Sequence, residues 1–186
     1  MAARRKPRLM SLQRGMTLVE QIMVLAIVAI LAGLAVPPLR QLLSRNRLQV
    51  AQTDFMSVLR NARFTAATTG RRTLFCPSDD GSQCSNSTRW DRGWLLGHDT
   101  DGDRQPDAAV SRRGAAYAGG LHITSSTGRR DVRFRPDGSA SGSNITLLFC
   151  EPGSQQRALS VVVSNSGRIR GAPATAAQSR HCMQTD

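Results

Sequence analysis

The chain has 186 residues, a formal net charge of +12, and 25 basic against 13 acidic residues. This length is typical of one compact domain, here accompanied by one membrane-inserted helix. Aromatic residues make up 4% of the chain, so no base-stacking platform for single-stranded nucleic acid is indicated. No nucleophile elbow, phosphate loop or metal-ligand helix occurs, and we therefore expect that the protein is not an enzyme and needs no cofactor.

The N-terminus combines a basic leader with a long apolar run. Five cations and no acidic residue precede Gly15: Arg4, Arg5, Lys6, Arg8 and Arg14. In residues 16–36 Glu20 is the only charge, and as a helix this stretch reaches about 30 Å, enough to cross a bilayer core. The basic flank is expected to stay in the cytoplasm while the rest is exported. A secretory signal cut near Ala35 is a minor alternative, and a simple anchor would leave Glu20 unexplained.

Periodicity predicts one long helix over 17–69. Beyond Pro37-Pro38, apolar residues recur at three- and four-residue steps as far as Ala66, and Gly70 is a C-terminal cap. The two prolines are expected to bend the helix. Its arginines are interpreted as a solvated face: Arg40, Arg45, Arg47, Arg60 and Arg63.

From Arg71 onward the pattern changes to short strands separated by turns. Strands are predicted at 72–77, 93–97, 108–111, 121–125, 132–135, 145–150 and 158–164. Turns are predicted at Pro136-Asp137-Gly138 and Asn165-Ser166-Gly167. A helix followed only by strands predicts an α+β fold with the helix packed on antiparallel sheet. The small, polar tail over 172–186 is predicted to be mobile except at Cys182.

The four cysteines are expected to form disulfides, because an exported domain reaches an oxidising compartment. Four cysteines allow three pairings. We favour Cys76–Cys84, which closes a short loop, and Cys150–Cys182, which ties the tail to a strand. Zinc is disfavoured, because no C-x-x-C pair occurs and the three histidines are scattered.

Gly167-Arg168-Ile169-Arg170 is a candidate phosphate-binding motif. Strand alternation places Arg168 and Arg170 on one face, about 7 Å apart, which roughly matches the spacing of adjacent phosphates. No acidic residue lies within fifteen positions of either arginine. The alternative is a pair of edge-strand arginines that keep the sheet soluble. Further basic residues would extend a basic track: Arg129, Arg130, Arg133 and Arg135.

An acidic loop carries Asp99, Asp101, Asp103 and Asp107, and alternating carboxylates can converge on a hard cation such as calcium. The EF-hand spacing fails, because a glycine stands at loop position four and Val110 at position twelve. We therefore assign no metal site from the sequence.

The segment Gly15-Met-Thr-Leu-Val-Glu20 resembles the class III signal of type IV pilins and type II secretion pseudopilins. The resemblance implies that 1–15 is a leader removed by a prepilin peptidase, and that the new N-terminus at Met16 is methylated. It also implies that Glu20 neutralises the N-terminus of a neighbouring subunit during filament assembly. Met16 departs from the family, which usually has phenylalanine there.

Four further segments resemble the GspH/FimT group of minor pilins and pseudopilins, and its FimT-like branch above all: Phe75-Cys76-Pro77-Ser78, Trp90-Asp-Arg-Gly-Trp94, Phe149-Cys150-Glu-Pro-Gly153 and Val161-Val-Val-Ser-Asn-Ser-Gly-Arg168. In FimT-like proteins a C-terminal Gly-Arg-x-Arg motif is linked to DNA binding in natural transformation. The resemblance implies a type IV pilin-like fold and a minor pilin that binds DNA. Contact with phosphates and not with bases would make this binding independent of sequence and sensitive to salt. The alternative is a GspH-like pseudopilin of a type II secretion system, with protein partners only.

The predicted organisation has five parts. A leader (1–15) precedes a membrane and assembly helix (16–36) and the periplasmic half of the same helix (37–70). A β-rich domain (71–171) and a tethered tail (172–186) follow. The resemblance implies a single-pass inner-membrane protein with a periplasmic domain, which joins other pilins in a pilus at the cell surface.

Overall fold

The computed structural model describes residues 15–107, 110–117, 119–151 and 158–184, so that the predicted leader lies almost wholly outside the described residues. Helix α1 (Leu18–Thr69) comes first and helix α2 (Ala176–Gln184) last. Between them lie the strands β1 (Thr73–Pro77), β2 (Trp94–His98), β3 (Arg112–Gly114), β4 (His122–Ser125), β5 (Val132–Phe134), β6 (Ile145–Cys150), β7 (Leu159–Val163) and β8 (Ile169–Pro173). The predicted α+β class is confirmed.

Helix α1 begins and ends where local chemistry dictates. The Thr17 hydroxyl accepts a hydrogen bond from the Glu20 backbone N–H at 3.3 Å, which caps the helix N-terminus. Gly70 has a φ of +64°, the left-handed conformation that commonly ends a helix. Both predicted ends are confirmed to within one residue, and the helical backbone continues through Pro37-Pro38.

Among the described residues, 15–42 form one compact unit, and those from Leu43 onward form a second. In the first unit, Leu18–Val36 is a helical stretch of 19 residues with a mean hydropathy of 2.4 and no buried residue. Its length and apolarity are sufficient to cross a membrane.

The second unit contains two four-stranded antiparallel sheets. Sheet A has the order β3-β2-β1-β5, and sheet B has the order β4-β6-β7-β8. Strand β8 is therefore an edge strand that pairs only with β7, in a register that sets Ile169 opposite Val163 and Arg170 opposite Val162.

The core of the second unit forms where both sheets meet the buried face of α1. Phe55 of α1 is fully buried and makes ring contacts with residues from both sheets and their loops: Phe75, Trp90, Trp94, Tyr117 and Phe149. The buried positions of α1 recur at helical spacing: Leu48, Ala51, Phe55, Val58, Leu59, Ala62 and Ala66. The amphipathic pattern thus predicts the core face of α1 correctly.

Two predicted segments need correction. Of the strand expected over 108–111, residues 108 and 109 lie outside the described residues, and residues 110 and 111 are not in a strand. The strand in this region is β3, which was missed because an exposed edge strand lacks the apolar alternation that reveals a buried one. Gly114 in β3 lies under Trp94, whose ring would be 2.2 Å from a Cβ atom there. The tail from Ala172 is not a mobile segment: β8 runs to Pro173, and α2 follows. Helix α2 packs against β6 around Cys182, Leu148 and Cys150.

Candidate nucleic-acid interface

The Gly167–Arg170 motif lies at the turn between β7 and β8 and on β8 itself. Ser164 holds the turn, because its backbone N–H donates to the Arg168 carbonyl at 3.0 Å and its hydroxyl accepts from the Arg168 N–H at 3.2 Å. Ile169 packs against the core, whereas the side chains of Arg168 and Arg170 are exposed. The predicted alternation of the motif is confirmed.

Gly167 is required by the packing of two turns. Its φ is +77°, a conformation that side chains other than glycine adopt at a cost. A Cβ atom at this position would lie 2.0 Å from the Gly138 carbonyl oxygen. The glycine of the motif therefore allows the 165–167 turn to rest on the 136–138 turn, directly before Arg168.

The two arginines of the motif carry uncompensated charge. Among the described residues, ion pairs join Arg47 to Glu151, Arg71 to Asp107, Arg89 to Asp91, Arg92 to Asp79 and Arg133 to Asp131. Neither Arg168 nor Arg170 takes part in any of them. Exposed guanidinium groups without a carboxylate partner are free to bind an anion such as phosphate.

The fold brings two further charged residues close to the motif, although both are distant from it in the sequence. Arg63 of α1 reaches both turns, since its Nε lies 3.1 and 3.3 Å from where Cβ atoms at Gly138 and Gly167 would stand. Asp137 in the facing turn accepts a hydrogen bond from the Ser139 backbone N–H at 2.8 Å. Hydrogen bonding to Ser139, and then the charge of Arg135, lower the pKa of Asp137, so that this carboxylate is ionised beside the basic turn.

A groove on the outer face of sheet B lies next to Arg170. It has a volume of about 370 Å³, and Arg129, Thr146 and Val162 are among its lining residues. Thr146, Val162 and Arg170 are consecutive partners across β6, β7 and β8, which places Arg170 about 10 Å from Thr146 on the same face. Arg129 donates to the Gly142 carbonyl and the Asn144 side chain, both at 3.0 Å, and both partners are neutral. Arg129 therefore adds positive charge to this face.

The other predicted basic residues do not join this face equally. Arg133 lies on β5 in sheet A, half-buried, and its charge is paired with Asp131 at 2.9 Å. Arg130 donates to Asn86 at 2.6 Å, beside the loop closed by a disulfide. Arg135 is exposed and adjoins Asp137. The structure thus groups Arg168 and Arg170 with Arg63 and Arg129.

Gly15, Met16 and Glu20 lie at the other candidate site, at the N-terminus of α1. All three are exposed, and Glu20 occupies the first helical turn. A carboxylate there lies near the positive end of the helix dipole.

Both predicted disulfides are confirmed. Cys76 is bonded to Cys84, and Cys150 is bonded to Cys182. The first anchors the loop after β1, and the second fixes α2 to the end of β6. Because all four cysteines are paired, none is available as a thiolate ligand.

A long N-terminal helix over antiparallel sheets, with an apolar first half and a disulfide-bonded second unit, defines a type IV pilin-like protein. A family model described as "Type II transport protein GspH" matches residues 51–167, which is more than half of the 186-residue chain. The chain belongs to this GspH family of minor pilins and pseudopilins. Its filament class is the type IV pilus or the similar type II secretion pseudopilus.

A solved type IV minor pilin shares this fold. The type IV minor pilin FimU of Pseudomonas aeruginosa is 21% identical, with a TM-score of 0.57 over 72% of this chain and 92% of FimU. The minor pseudopilin EpsH from the type II secretion system of Vibrio cholerae is 13% identical, with a TM-score of 0.49 over 68% of this chain and 97% of EpsH. No curated protein sequence matches the chain significantly.

Proposed function

We propose that the protein is a FimT-like minor pilin, without enzymatic activity, that binds double-stranded DNA through Arg168 and Arg170 and supports DNA uptake in natural transformation. The observation that carries the proposal is the exposure of Arg168, in the turn before the edge strand β8, and of Arg170, on that strand, both without an ion-pair partner among the described residues. A guanidinium in this state can meet a phosphate without first breaking an internal ion pair.

Binding of this kind is independent of sequence. The interface offers guanidinium groups to phosphates. The two tryptophans of the protein, Trp90 and Trp94, are buried in the core and are unavailable for stacking on bases. Non-specific binders typically have dissociation constants of about 10⁻⁴–10⁻⁶ M at physiological salt. Each phosphate neutralised adds about 0.9 to the slope of log K against log salt.

The test compares two double variants of the full chain in detergent. Arg168→Gln with Arg170→Gln removes the motif, whereas Arg112→Gln with Arg113→Gln removes the same charge from β3, an exposed edge strand of sheet A. Gel-shift titrations over a range of salt should show weaker binding and a slope smaller by about 1.8 for the first pair only.

Two outcomes would overturn the DNA assignment: an equal loss of DNA affinity in both double variants, or no DNA binding by the wild type at low salt. In a transformable host, the motif variant is expected to assemble into pili and to lose transformation. Loss of both properties would instead indicate a structural role.

The second candidate function is a GspH-like pseudopilin of a type II secretion system, with protein partners only. The description of the matching family favours it. Under this alternative, cells that carry the Arg168 and Arg170 double variant would secrete proteins normally, whereas cells that carry a Glu20 variant would not. The genomic neighbourhood, pilus genes or secretion genes, distinguishes the two filaments at once.

For either filament we infer the same N-terminal chemistry. A prepilin peptidase would cut between Gly15 and Met16, and the new amine would be methylated. Glu20 would then neutralise the terminal amine of a neighbouring subunit, since a carboxylate in an apolar helix is stabilised by a charged partner. The exposure of both Met16 and Glu20 is compatible with this role.

A further inference from the structure

The loop after β2 brings three carboxylates together. One side-chain oxygen from each of Asp99, Asp101 and Asp107 lies within 4.8 Å of the other two. The spacing of these residues does not follow the EF-hand pattern, and so the sequence alone did not support a site. We propose that Asp99, Asp101 and Asp107 bind a calcium ion.

Asp99 supplies an independent observation. Its relative exposure is 0%, and its Oδ2 is buried without a hydrogen-bond partner. The other oxygen, Oδ1, accepts from the Gly102 backbone N–H at 2.8 Å. An unpaired carboxylate oxygen in a buried position is costly. A bound cation would satisfy that oxygen.

The ligand chemistry favours calcium. All three ligands are oxygen atoms, which suits hard cations and not zinc or copper. Three oxygens within 4.8 Å of one another lie at most about 2.8 Å from a common centre, close to the calcium–oxygen distance of about 2.3–2.6 Å, so a small side-chain adjustment brings all three onto one ion. Calcium also accepts irregular coordination completed by water or carbonyl oxygens, whereas magnesium requires near-octahedral geometry.

Neighbouring arginines limit the affinity. Arg71 Nη2 lies 3.5 Å from Asp107 Oδ2, and the Arg71 side chain is 51% exposed. Arg72 Nη1 lies 3.1 Å from where a Cβ atom at Gly102 would stand. Because Arg71 is exposed, it can move away when an ion arrives. Competition of this kind is compatible with the dissociation constants of about 10⁻⁴–10⁻³ M that extracellular calcium modules show.

The experiment measures calcium binding by the full chain in detergent, by isothermal titration and by thermal unfolding with 10 mM calcium or magnesium chloride. Calcium is expected to raise the unfolding temperature by about 4–8 °C and magnesium by much less. Asp101→Asn should lower the calcium affinity at least tenfold. Asp103→Asn, in the same loop but outside the carboxylate group, is the matched control and should bind as the wild type does.

Arg71→Gln adds a test that does not depend on removing a ligand. This variant should bind calcium severalfold more tightly, because it removes the competing cation from Asp107. Three results would overturn the proposal: no calcium-dependent shift in the wild type, equal shifts with calcium and magnesium, or equal losses in Asp101→Asn and Asp103→Asn. None of these readouts depends on DNA binding.

Discussion

Replacing Gly167 by alanine is expected to destabilise the domain by about 2–5 kcal/mol. The left-handed backbone, with a φ of +77°, accounts for about 1–2 kcal/mol of this loss. The remainder comes from the new methyl group, which would stand 2.0 Å from the Gly138 carbonyl oxygen. To restore an ordinary contact, the two turns must separate by more than 1 Å, and overpacking of this kind costs about 1–3 kcal/mol.

Gly142→Ala is the matched control. Gly142 has a φ of +81°, and no atom outside its chain neighbours lies within 4 Å of a Cβ atom built there. This variant carries the backbone cost alone, about 1–2 kcal/mol. Because 1 kcal/mol shifts the unfolding temperature of a domain of this size by about 3 °C, we expect losses of about 6–15 °C for Gly167→Ala and about 3–6 °C for Gly142→Ala.

The assay is thermal unfolding of the full chain in detergent, together with gel-shift titration below the unfolding temperature. Gly167→Ala should also weaken DNA binding, because separating the turns moves Arg168, whereas Gly142→Ala should not. Equal destabilisation by the two variants would refute the argument that turn-to-turn packing requires this glycine. Unchanged DNA binding in a destabilised Gly167→Ala would show that the contact does not direct Arg168.

Three further outcomes are expected. Gly15→Val should leave the leader attached, as mass spectrometry of the N-terminus would show, and cleavage near Ala35 would contradict this. Glu20→Gln should insert into the membrane normally but fail to assemble, as pilus shearing would show. Reduction of Cys76–Cys84 and Cys150–Cys182, separated by 8 and 32 residues, should cost about 2.5 and 3.7 kcal/mol in denaturant titrations of single-bond variants; an equal cost would contradict the loop-length argument. Hydrogen bonds to Ser82 and Ser139 lower the pKa values of Asp80 and Asp137, respectively. The stability that these carboxylates contribute is therefore present above the unfolded pKa near 4 and is lost as the pH falls through the lowered folded values. In acid titrations, the free energy of unfolding should decline less steeply for Asp80→Asn and Asp137→Asn than for Asp79→Asn.

Patterns that depend on local chemistry were predictable from the sequence. The buried face of α1 follows helical spacing, and Gly70 marks its end because a left-handed glycine is a local feature. Strands β6 and β7 carry apolar runs because they are central in sheet B. Both disulfides were also predictable, because Cys76 and Cys84 are close in the sequence and Cys150–Cys182 ties the tail to a strand.

Features that depend on tertiary contact were not predictable. Strand β3 has exposed arginines at Arg112 and Arg113, so nothing in its composition marks it as a strand. Helix α2 contains few apolar residues, and it is held in place by Cys182 and a small apolar cluster on β6. Arg63 resembles any solvated helical arginine until the fold brings two turns against it. Asp99 and Asp107 likewise come close together only because the loop between them folds back, which the sequence pattern did not reveal.

The order of the four cysteines along the chain has a consequence for how the two disulfides form. If the region after the membrane helix is exported in chain order, as the sequence predicts, Cys84 emerges soon after Cys76, so their bond can close locally. Cys150 must then wait through 32 further residues before its partner arrives. Early closure of the first bond removes two competing thiols, which leaves Cys150 a single intramolecular choice. Export in chain order would thus select one of three possible pairings, and a chain truncated before Cys182 would present an exposed thiol to oxidoreductases and quality-control proteases.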